Sequence, residues 1–286
     1  MKIALSIRRV AAFTLVEVAL ALAIIGFALV AIIGSLPFGL NVQRENREET
    51  IIVQDANFFI DAIRNGARGL DDLTNYVDAI TNYVTGHTIV NGATSVVSSV
   101  HAYTYANGWL NGVQNSEYRI RNGERIVGLL STPRLILPKN STPIPSSFTS
   151  NYVVAYIRSI SGPAIEKSPQ TNAIIRDLAF RYKLIPEVNQ FNDWNLGWVN
   201  FNETGLATNE IVIRSNSWRM AQSKQANLNE IRLLFRWPID AKGNAGNQRQ
   251  VFRSMVSGNL VLTNVGGRSA MNIWLMQSST YTPTEP

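Results

Sequence analysis

The amino-acid sequence predicts an α+β protein in which one long hydrophobic N-terminal helix precedes a β-rich globular domain. Three observations lead there. Residues 18–34 contain no polar side chain. Ile52, Ala56, Phe59 and Ile63 then recur at i, i+4, i+7 and i+11, which is one face of a helix. From residue 88 onward, runs of β-branched and aromatic residues alternate with turn residues. With 286 residues the chain is long enough to bury a real core. Only 16% of its residues are charged, so its surface is built largely from neutral polar groups. It has no cysteine, which excludes disulfides, cysteine-based zinc clusters and thiol nucleophiles. Half of the formal charge of +6 sits on Lys2, Arg8 and Arg9, ahead of the apolar run. The remainder shows no dense Lys/Arg cluster, so nucleic acid is not an expected partner.

The first element, residues 13–36, is interrupted only by Thr14, Glu17 and Ser35. As a helix it would extend about 36 Å at ~1.5 Å per residue, enough for a hydrocarbon layer of ~30 Å. Arg8 and Arg9 before it place the N-terminus on the cytoplasmic side. The Ala-Leu-Ala pairs at 19–23 imitate a signal-peptide cleavage site, but a cut there would leave Ile24–Ile33 as an apolar new terminus. A plain uncleaved anchor accounts for everything except Glu17. A carboxylate inside a spanning helix costs about 2.5–3.5 kcal/mol, less where it snorkels near the interface. A third reading has to supply that acid with a partner.

Ala12-Phe13-Thr14-Leu15-Val16-Glu17, preceded by Arg8-Arg9 and followed by the apolar helix, resembles the processing site of type IV prepilins and type II secretion pseudopilins. The resemblance implies a leader of residues 1–12 and a prepilin peptidase cutting between Ala12 and Phe13, with N-methylation of Phe13. It implies a helix over 13–65, with 13–36 in the membrane and 37–65 as an amphipathic extension. A globular domain over 66–286 follows, and the family fold packs such a helix on an antiparallel sheet. Glu17 becomes the fifth residue of the mature chain. The new terminal amine, with a reference pKa of about 7.7–8, is largely protonated near neutral pH. In the family's assembly model, Glu17 of an incoming subunit meets the Phe13 amine of a neighbour. The family usually has Gly before the cut, where this chain has Ala12. Two stretches, "FTLVEVALALAIIGFALVAIIGSLPFGLN" and "NEIRLLFRWPIDAKGNAGNQRQVFRSMVSG", further resemble the prepilin-like group labelled Verru_Chthon cassette protein B.

Pro37, flanked by Gly34 and Gly39, predicts either a kink or melted turn that lets two helix halves bend independently, or a helix end at the membrane surface. Residues 41–50 are polar and of mixed charge, as befits a helix leaving lipid. The stripe from Ile52 to Ile63 then docks on a globular domain, and Gly66 or Gly69 ends the helix. A second helix is expected over 71–85, capped by Asp71 or Asp72, because Leu73, Tyr76, Val77, Ile80, Tyr83 and Val84 keep helical spacing. A strand follows near 94–106. Asn122-Gly123 between two strand-like runs predicts a hairpin. The four prolines of 131–147 read as a loop or edge. Further strands are expected at 152–160, 176–185, 228–237 and 249–262, with an irregular Trp- and Asn-rich stretch over 191–210.

The chemistry-bearing residues are few. His87 and His101 have no Cys or carboxylate at ligand spacing. No P-loop, nucleophile elbow or dinucleotide fingerprint is present. Asp240, Asn244 and Asn247 offer oxygens to calcium but miss the calcium-loop pattern, and a glycine-rich hairpin loop is the simpler reading. Trp194, Trp198 and Phe201 suit core anchors or a carbohydrate- or partner-binding surface. Neither a cofactor nor catalysis is expected. The resemblance implies a non-enzymatic, minor pseudopilin-type subunit of a type IV pilus or type II secretion-like filament. It would be a single-pass protein of the cytoplasmic membrane, with its domain periplasmic. Its partners would be prepilin peptidase, other pilin or pseudopilin subunits and membrane lipid. The alternative is a single-pass, membrane-anchored extracytoplasmic binding protein that does not polymerise.

Overall fold

The computed structural model describes residues 13–66, 70–136, 147–162, 179–191, 205, 207–240, 243–265 and 271–277. The chain divides into two compact units between Thr50 and Ile51, inside its first helix. That helix, α1 (Leu15–Asn65), is 51 residues long and carries Pro37 in its interior. The expectation of a helix end at Pro37 is therefore not met.

In the first unit, every described residue from Phe13 to Arg47 is exposed. The segment is long and apolar enough to cross a membrane, and none of that apolar window is buried by the chain itself. Near the proline, the Ser35 hydroxyl donates to the Ile32 carbonyl at 3.1 Å. Arg44 Nε lies 2.8 Å from Glu48 Oε1, one turn apart, in the polar stretch that follows.

In the second unit the predicted stripe of α1 is the buried one: Ile52, Ala56, Phe59 and Ile63 are fully inaccessible. The domain continues with β1 (Val77–Val90), β2 (Ala93–Tyr103), β3 (Gly108–Leu110), β4 (Val113–Asn115) and helix α2 (Gly123–Leu130). Then come β5 (Leu135–Ile136), β6 (Ser147–Arg158), β7 (Arg181–Gln190) and helix α3 (Thr208–Asn227). β8 (Leu228–Ile239), β9 (Ala245–Ser257), β10 (Asn259–Val265) and β11 (Met271–Gln277) complete it. Eight strands pair antiparallel in the order β4-β3-β2-β1-β6-β7-β8-β9, with β5 added beside β6. β10 and β11 form a separate hairpin. One sheet face, the α1 stripe, α2 and the β11 side chains Ile273 and Leu275 share a single core. The architecture is thus α+β and pilin-like: a long N-terminal helix, apolar in its first part, whose last turns pack against an antiparallel sheet.

Three expectations need correction. Residues 71–85 are not a helix: a 3-10 turn (Asp71–Asn75) leads directly into β1. A bulge between Val77 and Ala79 puts Val77 and Ile80 on the same face, three residues apart, which imitates helical spacing. Asn122-Gly123 is not a hairpin turn but the start of α2, with Asn122 as N-cap: its Oδ1 accepts from Arg125 N at 3.1 Å. Residues 249–262 are not one strand, because Gly258 at φ 142° turns the chain out of β9 into β10. α3 was not foreseen either. Most of its residues are exposed, so it offers no apolar stripe to read. The other expected strands appear at β2, β6, β7 and β8, with bounds moved by up to five residues.

Candidate functional site

The N-terminal turn of α1 is built by Thr14 and Glu17. Thr14 is the helix cap: its Oγ1 accepts from Glu17 N at 3.3 Å, and its carbonyl accepts from Val18 N at 3.2 Å. Glu17 reaches back, and its Oε2 accepts from Thr14 N at 3.0 Å and from Thr14 Oγ1 at 3.1 Å. This reciprocal arrangement is a capping box, and it satisfies helix N–H groups that have no partner within the helix. No donor among the described residues is bonded to the other oxygen, Oε1. The acid that hydropathy alone marks as misplaced therefore has a local reason to sit three residues after Thr14. The Thr-x-x-Glu spacing that encodes this box is legible in the sequence. Phe13 lies beside this cap and is 82% exposed. Ala12, the residue before the expected cut, lies outside the described residues.

A second acid stands in the docked half of the same helix. Asp55 is fully buried, three residues after Ile52, and its oxygens accept from Ile160 N at 3.0 Å, Ser161 N at 2.8 Å and the Tyr182 hydroxyl at 2.8 Å. It joins α1 to the segment that follows β6 and to β7. Sequence reasoning passed over it, although a carboxylate in an apolar stripe is the same signal that singled out Glu17.

The remaining candidates are separate. His87 on β1 stacks on Phe148 with 4.4 Å between ring centroids, and His101 on β2 stacks on Tyr118 at 5.1 Å. In the β1–β2 register His87 faces Val96 while His101 faces Asn82, so the two imidazoles lie five positions apart along the ladder. Burial lowers the His101 pKa. Asp240 is engaged by its own turn: Asn244 N donates to Oδ1 at 2.7 Å and Asn244 Nδ2 to Oδ2 at 3.1 Å. Gly243, at φ 83°, supplies the left-handed residue that closes this loop between β8 and β9. No cluster of three His, Cys, Asp or Glu suited to a metal ion occurs among the described residues. Trp194, Trp198 and Phe201 lie outside the described residues.

Asp71 caps a helix, though not the expected one. Its Oδ1 accepts from Gly123 N at 3.1 Å, at the head of α2. Arg125 then buries its guanidinium inside the domain, with Nη1 donating to the carbonyls of Arg119 at 2.9 Å and Glu117 at 3.3 Å. Comparison with known proteins found no family model, no curated protein and no solved structure that matches this chain.

Proposed function

We propose that the chain is a pilin-like, minor pseudopilin-type structural subunit of a type IV pilus or type II secretion-like filament. The observation that carries this reading is the exposed apolar helix opening on Phe13, Thr14 and Glu17, with one Glu17 oxygen held at home and the other open. Prepilin peptidase cuts between Ala12 and Phe13 on the cytoplasmic side, and Phe13 is then N-methylated. The apolar segment holds the subunit in the cytoplasmic membrane until assembly, with the domain on the periplasmic side. On assembly, helices of neighbouring subunits cover the apolar surface that the chain itself leaves bare. The Glu17 carboxylate receives the protonated Phe13 amine of a neighbour at Oε1, a charge-assisted bond favoured by the apolar surroundings. Pro37 supplies a point of bending between the two halves of the helix. The domain acts by contact with partners, not by catalysis, and needs no cofactor.

Mass spectrometry of the purified protein tests the first step: a mature chain beginning at N-methylated Phe13 is expected. A chain beginning at Met1 or after Ala23 would remove the basis for the proposal.

One observation favours the rival reading of a membrane-anchored binding protein that does not polymerise. Thr14 already engages Glu17 within the same chain, so the acid has a structural reason to exist without a neighbour. Crosslinking of neighbouring subunits in membranes decides between the two readings, since the rival gives no ladder of crosslinked multimers.

A further inference from the structure

The sheet face turned away from the core gathers cations that are scattered in the sequence. Register places Tyr156 on β6 opposite Lys183 on β7, Lys183 opposite Arg236 on β8, and Arg236 opposite Arg249 on β9. Three cations thus stand abreast at a strand spacing of about 4.8 Å. Like charges directly opposite one another destabilise a sheet. Among the described residues none of the three forms an ion pair. The Glu187 carboxylate stands two rows along the same face, beyond Ile185, Leu234 and Val251, and is taken by Arg232 at 3.3 Å and Arg134 at 3.6 Å. Arg236 Nε is buried without a hydrogen-bond partner. β9 itself carries Arg249 and Arg253 and no acid. Burial and the Arg236 charge together lower the pKa of the Lys183 ammonium, which accords with a site short of anions.

Beside this row lies a cavity of about 210 Å³ lined by Thr81, Tyr83, Tyr152, Val154, Tyr156 and Lys183. It has room for one six-membered ring among side chains that carry both hydroxyl groups (Thr81 and three tyrosines) and apolar surface. Tyr83 and Tyr152 remain 45% and 46% exposed.

We propose that this face binds an acidic polysaccharide. One sugar ring sits in the tyrosine cavity, and carboxylates of successive residues reach Lys183, Arg236 and Arg249. The alternative anionic polymer, single-stranded nucleic acid, needs open aromatic faces on which successive bases stack. Tyr83 and Tyr152 are instead turned on each other, 6.0 Å between centroids and tilted by 45°, which leaves a small cup, not a stacking platform. Arginine matches a carboxylate with two parallel hydrogen bonds, and cations in adjacent strands repeat on the scale of one sugar residue. The site is independent of filament assembly and stands whichever way the Glu17 experiments fall.

The test is a titration of the detergent-solubilised full chain with polygalacturonate oligomers, neutral galactan oligomers and oligothymidylate, at low and at high salt. Polygalacturonate is expected to bind, to weaken as salt rises, and to outcompete the other two. Arg249→Gln, at an exposed position, is expected to weaken it about tenfold, as is the double variant Lys183→Gln with Arg236→Gln. Tyr152→Ala is expected to weaken binding of the acidic oligomer while leaving the folded domain intact by circular dichroism. Preference for oligothymidylate, equal binding of neutral galactan, binding by Arg249→Gln at wild-type strength, or no binding by any polymer overturns the proposal.

Discussion

Asp55 is the residue on which the attachment of α1 to the domain turns. It is fully buried in a stripe of Ile and Phe, yet both oxygens accept hydrogen bonds, two from backbone amides and one from the Tyr182 phenol. Asp55→Ala strands three buried donors and is expected to destabilise the domain by about 3–5 kcal/mol, whereas Tyr182→Phe removes one bond and costs about 1–2 kcal/mol. Urea unfolding followed by tryptophan fluorescence measures both, and equal costs for the two variants would contradict this ranking. Burial first, then the Asp55 charge and hydrogen bond, raise the Tyr182 pKa well above 10. Burial raises Tyr103 and Tyr105 as well. The unfolded chain releases these protons near pH ~10 while the folded chain keeps them. The stabilisation is therefore complete below that value and is lost as pH rises toward the folded pKa. Urea midpoints are expected to show no tyrosine-linked loss up to about pH 10 and to decline above it, less steeply in Tyr182→Phe. An identical decline in that variant would show that Tyr182 does not contribute.

At the scale of elements, α2 shows how a local signal can be read correctly and placed wrongly. Asn122 and Gly123 are turn formers, but here the Asn122 side chain caps a helix. Gly123 is required there because a Cβ would meet the backbone of Leu70, and Asp71 holds its N–H. Gly123→Ala is expected to destabilise by more than the ~1 kcal/mol of a lost cap, since backbone must move. Asn122→Ala should cost about that single kilocalorie. Thermal unfolding of the two variants checks the order, and a milder Gly123→Ala would show that the Leu70 segment yields easily. What sequence could reveal follows from range. The α1 stripe and the alternation along β8 are local periodicities, and both are legible. The bulge at Val77–Ala79 depends on pairing with β6, and the cation row depends on the register of three strands, so neither is visible along the chain. The Thr14–Glu17 box was legible, but hydropathy drew attention to the acid alone.

At the scale of the whole molecule, α1 carries two acids among apolar residues, and they are satisfied to different degrees within their own units. Asp55 has three donors across its two oxygens. Glu17 has Thr14 on Oε2, and no donor among the described residues is bonded to Oε1. Capping and assembly make different demands on that side chain, so paired variants separate them. Thr14→Val removes the hydroxyl donor and the cap but leaves the carboxylate, now freer to meet another chain's amine. Glu17→Gln keeps the shape and a weaker backbone contact but removes the charge. If Glu17 serves assembly, Thr14→Val should retain crosslinked multimers in membranes while Glu17→Gln reduces them about tenfold or more, the scale of losing one charge-assisted bond in apolar surroundings. If Glu17 serves only the cap, neither variant changes crosslinking, and Thr14→Val is the more disruptive to the first helical turn. Both positions lie within five residues of the expected cut, so the mature N-terminus of each variant is measured by mass spectrometry on the same sample. Equal crosslinking by correctly processed Glu17→Gln and wild type would remove the charge from the assembly mechanism and leave α1 as an anchor.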